Sequence, residues 1–309
     1  MSAIETAGLT KEFGSLTAVD SLDITIESGE IYGFLGPNGA GKSTTINMLL
    51  DLTRPSDGSA SILGYDCQSE SPAIRERIGV LPEGFDLYGR LTGRHHLEFA
   101  IRAKGVDDTV ERLVDRIGLD LDDADRTVDG YSKGMRQRLA LGMALAGDPE
   151  VLILDEPSSG LDPTGIQEVQ DIVTAEASDG TAVFFSSHIL GEVEAVCDRV
   201  GILNDGVLVA DGSIDKLREE TVGADTLILT LDEPPAEAVG SVSTVDGVSS
   251  VEQTDGQLLV DCTDSRAKAR AIDAVEGLGA TVVDIRVRER SLSDVFSALT
   301  TTREAHRDA

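Results

Sequence analysis

The feature that most constrains this chain is the octapeptide Gly36-Pro37-Asn38-Gly39-Ala40-Gly41-Lys42-Ser43. It has the spacing G-x4-G-K-[ST]. It stands between an apolar run, Ile31–Leu35, and a helix-like stretch at 44–50. A strand that enters a glycine loop and leaves it as a helix belongs to an α/β sheet. The chemistry is constrained as well. Glycines let backbone N–H groups close around phosphate oxygens, and the helix N-terminus adds partial positive charge. Lys42 reaches the outer phosphates of a nucleotide, and the Ser43 hydroxyl suits a magnesium ion.

A second signal lies downstream. Residues 151–154 are a continuous apolar run that ends in Asp155-Glu156. A buried strand that delivers two carboxylates to its end suits the same site. Asp155 would hold the metal, directly or through water. Glu156 would take a proton from an attacking water. Taken alone, two acids at a strand end are ordinary in an acidic chain. A third segment, Tyr131-Ser132-Lys133-Gly134-Met135-Arg136-Gln137-Arg138, precedes a helical run at 139–146. By itself it is a capped helix start, although Ser132 and Gly134 there form another anion-binding end.

The order of these motifs resembles that of the nucleotide-binding subunits of ATP-binding cassette (ABC) transporters. After them come Ser159-Gly160-Leu161-Asp162 and a lone His188 behind an apolar run at 182–186; the resemblance covers roughly residues 4–209. It implies a P-loop NTPase: an α/β fold with a mixed-sheet core and a helical subdomain over about 87–145. It also implies ATP and Mg²⁺ as cofactors. Gly36, Pro37, Asn38, Gly39, Ala40, Gly41, Lys42, Ser43 and Thr44 would hold ATP, with Phe13 stacked on adenine. Ser132 and Gly134 would contact the γ-phosphate of ATP held by an opposite subunit. Asp162 falls in the family's D-loop, His188 at its switch histidine and Glu83 at its Q-loop position. Tyr65 and Asp66 lie ahead of the helical insertion. The expected catalytic residues are then Lys42, Glu156 and His188, and the expected metal ligands Ser43, Glu83 and Asp155.

Two departures matter. The family usually has Gln where Glu83 stands, so a negative charge is added near the triphosphate. Its signature usually reads LSGGQ, and Lys133 and Met135 replace the third and fifth residues. Glu83, the YSKGM-type signature and the segment from Arg290 to Phe296 resemble exporter subunits of the daunorubicin and multidrug resistance branch. The resemblance therefore implies an ATP hydrolase that powers export through a separate integral-membrane permease. It implies two copies paired head to tail around ATP, with the permease docked near 87–117. It places the protein in the cytoplasm, peripheral to the membrane. The rival reading is a soluble ABC-type ATPase of translation or DNA maintenance. Such proteins usually carry two cassettes or a long coiled-coil insertion, whereas this chain has one cassette and no heptad stretch.

Further apolar runs at 4–9, 19–26, 78–81 and 200–203 are expected strands. Asn204-Asp205-Gly206 ahead of 207–209 marks a hairpin. The stretch 92–119 reads as helix, with Val106, Val110, Leu113, Val114 and Ile117 at helical spacing. A helix starting near Ser213 closes the first domain, 1–220. The texture then changes for 221–309. Strands at 226–231, 248–253, 257–261 and 281–287 alternate with a short helix and a helix at 265–278. That order, βαββαβ, predicts a small α+β ferredoxin-like domain. Ser291 to Asp294 would cap a last helix through Leu299. Such a fold assigns no role by itself: regulator binding, dimer contact and stabilisation stay open.

Composition narrows the partners. The 309 residues carry a formal charge of −30, with 56 Asp and Glu against 26 Lys and Arg, of which six are Lys. Phosphate-backbone binding needs clustered cations, so nucleic acid is not an expected partner. An anionic lipid surface would repel the chain. Charge this extreme suggests adaptation to a salty cytoplasm, where screening relieves self-repulsion. Cys67, Cys197 and Cys262 make an odd, sparse set without CxxC, which supports neither a disulfide framework nor a zinc site. Cys197 reads as a buried hydrophobe in a helix at 193–200. No apolar stretch reaches membrane-spanning length, and the first nine residues lack a basic, then apolar leader. The adjacent His95 and His96 cannot share one helix face and lack partners at ligand spacing. The acidic 120–125 segment reads as a solvated loop, with halophilic surface charge and permease contact as the alternatives.

Overall fold

A computed structural model describes residues 2–220, 225–232, 235, 237–254 and 256–288. The chain forms two compact units, Met1–Ile214 and Asp215–Ala309.

The first unit is built on a six-stranded sheet. Its spatial order is Val207–Ser213, Arg199–Asn204, Ile31–Leu35, Ala182–Ser187, Val151–Asp155 and Ile78–Leu81. The last five strands run parallel, and Val207–Ser213 returns antiparallel through the Asp205-Gly206 turn. Parallel strands are covered on both faces, which demands continuous apolar runs. Ile31–Leu35, Val151–Asp155 and Ala182–Ser187 are accordingly buried at every position. A second, antiparallel sheet centres on Ser2–Phe13. Its N-terminal half pairs with Thr25–Glu27 and its C-terminal half with Leu16–Leu22. Asp57–Ile62 pairs along its other edge. Ile4, Ile26 and Ile62 from this sheet share one core with Phe34, Met48 and Phe184.

Two runs that read as continuous in the sequence are broken in the fold. The run at 19–26 is two strands, Leu16–Leu22 and Thr25–Glu27, because the ladder lapses at residues 23–24, where the Ile24 N–H donates to the Thr6 hydroxyl instead. The stretch 92–119 is likewise two helices, Gly93–Lys104 and Val110–Arg116. Gly105 closes the first with left-handed backbone, and the Thr109 hydroxyl caps the second by accepting from the Arg112 N–H. With Lys133–Leu145 they fill the chain between Ile78–Leu81 and Val151–Asp155.

In the second unit the spatial order is Val248–Thr254, Gln257–Cys262, Asp225–Leu231, Val282–Arg288, every pair antiparallel. Helices Ala238–Ser243 and Ser265–Gly277 complete the ferredoxin-like order. Leu227, Leu229, Leu258 and Val260 pack there with Ala267, Ala271 and Val275. The helix expected at 291–299 lies outside the described residues. Among the described residues no helix is long and apolar enough to cross a membrane.

Candidate nucleotide site

The strand Ile31–Leu35 lies inside the sheet and carries the chain into the glycine loop. Gly41 has φ 112 and caps the helix Lys42–Leu49; a Cβ there would lie 2.4 Å from the Ala18 carbonyl oxygen. At Gly36 a Cβ would lie 2.5 Å from the Leu203 carbonyl oxygen. Only glycine lets the loop pass between these two neighbours. The Ala40 carbonyl accepts from the Gly206 N–H at 2.9 Å, which holds the loop to the hairpin. Lys42 is 6% exposed. Its ammonium donates to the Gly36 carbonyl at 2.7 Å and pairs with Glu156 Oε1 at 3.3 Å.

Behind the loop, helix Leu190–Val196 packs on the same strand at Gly33, where a Cβ would lie 2.5 Å from Val193 and 2.9 Å from Cys197 Sγ. The helix expected at 193–200 ends at Val196, because Cys197 turns extended and Arg199–Asn204 must join the sheet. Cys197 is nevertheless buried, and burial pushes its thiol well above the ordinary range. Burial likewise pushes Cys67 up to about 12. Such thiols are packing groups rather than nucleophiles.

The two carboxylates follow at the end of Val151–Asp155. The Ser186 hydroxyl donates to Asp155 Oδ1 at 2.5 Å and accepts from the Glu156 N–H at 3.1 Å. The Ser186 carbonyl accepts from that same N–H at 3.2 Å. Glu156 itself has φ 51. Left-handed backbone in a non-glycine residue costs about 1–3 kcal/mol and is held only by surrounding contacts. Here Ser186 supplies them. The strained turn aims Glu156 Oε2 at His188 Nδ1, 2.8 Å away, while Oε1 faces Lys42. Lys42, Glu156 and His188 thus form one continuous polar chain.

A cleft of about 390 Å³ opens over Lys42 and Glu156, with walls that include Phe13, residues 37–39, 41–44 and Glu83; His188 is not among its walls. Phe13 is 51% exposed, and the Lys11 ammonium lies over its ring, 4.9 Å from the centroid. Among the described residues no three His, Cys, Asp or Glu side chains form a preformed metal cage. The oxygen donors on the cleft wall are the Ser43 hydroxyl, on the helix's first turn, and Glu83; Asp155, buried at its strand end and bonded to Ser186, is not part of that wall. That set fits Mg²⁺, which binds through one or two carboxylates completed by phosphates and water.

Ser132, Gly134 and Asp162 are not on the cleft. They group on a second face. The Ser132 hydroxyl accepts from the Met135 N–H, and Asp162 Oδ1 from the Gly165 N–H, so both are helix N-caps. The two helix starts lie side by side, since a Cβ at Gly134 would sit 3.9 Å from the Gly165 Cα. The Lys133 ammonium lies over Gly160. Sequence reasoning did not single out Ser158, Ser186, Ser187 or Glu192, all buried around Glu156 and His188. The only signal for them was the serine pair at the end of an apolar strand.

The ABC transporter family model matches residues 19–159. Over 306 residues the chain is 37% identical to the daunorubicin/doxorubicin resistance ATP-binding protein DrrA of Streptomyces peucetius, covering 96% of this chain and 92% of that protein. The chain belongs to the ATP-binding subunits of ABC transporters. The bacitracin transport ATP-binding protein BcrA of Bacillus licheniformis is 40% identical over 70% of this chain and 71% of its own. A solved ATP-binding subunit of an ABC transporter superposes with TM-score 0.64 at 30% identity, over 71% of this chain and 92% of that one. The dimeric cassette MJ0796 superposes with TM-score 0.61 at 25% identity, over 68% of this chain and 98% of that one. The cassette is therefore an ATP hydrolase that works with a membrane permease.

Proposed function

We propose that this cassette hydrolyses ATP at the chain Lys42–Glu156–His188 and thereby powers export through a separate integral-membrane permease. The observation that carries the reading is that chain, whose Lys42 and Glu156 line a cleft walled by the phosphate loop and Phe13 while His188 holds Glu156 from outside that wall. An incoming triphosphate competes with Glu156 for the Lys42 ammonium. Once Lys42 turns to phosphate, Glu156 Oε1 is free to accept a proton from water. His188 holds the other oxygen of that carboxylate and braces the γ-phosphate. Bound Mg²⁺, held by Ser43, Asp155 and Glu83, would neutralise developing charge on the phosphates.

The second face completes the cycle. Ser132, Gly134 and Asp162 meet the triphosphate held by a second copy, so that ATP closes a head-to-tail dimer and hydrolysis opens it. The apolar groove of about 400 Å³ between the core and the helical region, lined by Leu52, Ile74, Phe85, Phe99 and Met143, receives the permease. The protein thus sits at the cytoplasmic face of the membrane through its partner. The first compact unit, Met1–Ile214, is the cassette proper and the second, Asp215–Ala309, an accessory domain. Relatives named for daunorubicin resistance and bacitracin transport support an antibiotic-like cargo.

The decisive test is Glu156→Gln. The variant should bind ATP as wild type does, lose turnover by about 10²–10⁴-fold, and elute as a dimer in ATP. Normal hydrolysis by it would sink the assignment of the base.

A further inference from the structure

We infer that Glu192 is a positioning residue for hydrolysis: its buried carboxylate ties the loop that follows Glu156 to the strand end that carries His188. The inference rests on the roles proposed above for those two residues. Glu192 lies in the first turn of Leu190–Val196 and is 5% exposed. One oxygen, Oε2, accepts from the Ser158 hydroxyl at 2.6 Å and from the Ser187 hydroxyl at 2.9 Å. Both serines are buried. Ser158 stands two residues after Glu156, and Ser187 immediately precedes His188. The other oxygen, Oε1, is buried with no hydrogen-bond partner among the described residues.

Burying a carboxylate is costly, and only its hydrogen bonds offset the cost. The sheet does not need this group, because Ala182–Ser187 is already paired on both sides. What the carboxylate adds is a fixed distance between two loops. It holds Ser158, whose carbonyl accepts from the Leu161 N–H, in the turn that leads to Asp162. It also holds Ser187, whose hydroxyl accepts from the Ile189 N–H at 3.0 Å and so braces the backbone on either side of His188. The 2.8 Å contact between His188 and Glu156 spans these two loops. A misplacement of about 1 Å between reacting groups can cost on the order of 10² in rate. A tether acting there should govern turnover more than nucleotide affinity.

The test uses the full chain, steady-state ATP hydrolysis, affinity for a fluorescent ATP analogue, and thermal unfolding. Glu192→Gln keeps an oxygen for both serines, so kcat should stay within about threefold of wild type. Glu192→Leu removes the tether, so kcat should fall at least about tenfold while analogue affinity and KM change less than about twofold. The double variant Ser158→Ala/Ser187→Ala should match Glu192→Leu, and adding Glu192→Leu to it should cost nothing further. Should Glu192→Leu not fold, the serine double variant against Glu192→Gln still decides the question. Three results would overturn the tether: wild-type kcat without the tether, equal impairment of Glu192→Gln and Glu192→Leu, or parallel loss of affinity and kcat. Glu156→Gln in the same assay separates the two readings. If it retains turnover, base and tether fall together. If it is inactive while Glu192→Leu is normal, only the tether falls.

Discussion

At Gly41 a single hydrogen atom decides whether the phosphate loop can exist. Its φ of 112 is closed to other residues at low cost, and a Cβ would overlap the Ala18 carbonyl oxygen at 2.4 Å. Backbone atoms cannot step aside as a flexible side chain would. Gly41→Ala should therefore lose about 2 kcal/mol or more of stability and disorder the helix start that carries Lys42 and Ser43. Gly39 is a useful contrast: its φ is 84, but a Cβ there meets nothing within 4 Å. Gly39→Ala carries only the backbone strain and should be the milder of the two. Thermal unfolding with and without ATP checks the order; equal stabilities for the two variants would refute it. These positions were legible from spacing, because the phosphate loop is a local motif. Ser186 and Glu192 were not. Ser186 acts on residues about thirty positions earlier, and Glu192 reaches back to Ser158. No periodicity in sequence records such a contact.

Elements were legible where burial is two-sided. Ile31–Leu35 and Val151–Asp155 read directly as strands, since a strand covered on both faces is apolar throughout. Asp57–Ile62 escaped notice because only Ala60 and Ile62 are buried and the rest is polar or small; pairing with Ser2–Phe13 holds it. Helix Val110–Arg116 attaches the helical region to the core through Arg116. Arg116 grips Glu176 of helix Pro163–Ser178 with Nε at 2.6 Å from Oε1 and Nη2 on Oε2. Glu176 is 2% exposed. Arg116 Nη1 also reaches the more exposed Asp148 at 2.8 Å. Breaking a buried pair leaves an uncompensated charge, so Arg116→Met should cost about 3 kcal/mol. Asp148→Asn should cost under about 1 kcal/mol, because solvent already screens that carboxylate. Urea midpoints of the two variants test the ranking. A larger shift for Asp148→Asn would show that the attachment lies elsewhere.

The charge of −30 belongs to the whole molecule and sets a problem for an enzyme whose substrate is a polyanion. The chain answers locally by keeping Lys42 in the phosphate loop and Lys133 beside Gly160, two of its six lysines. Elsewhere many acids face solvent, as at Asp20, Asp120, Asp122 and Asp125. Their mutual repulsion acts over a Debye length of about 10 Å at 0.1 M salt but only about 3 Å at 1 M. Exposed ion pairs weaken over the same range, yet each contributes under about 1 kcal/mol, and acids outnumber cations by more than two to one. Relief of repulsion should therefore outweigh loss of pairs. We propose that the protein is built for high salt, and that its Tm rises by about 5 °C or more, roughly 2 kcal/mol, between 0.1 M and 2 M KCl. Thermal unfolding and solubility across that series measure it. A Tm that is flat or falling with KCl would mean that the acidic surface serves some end other than salt tolerance.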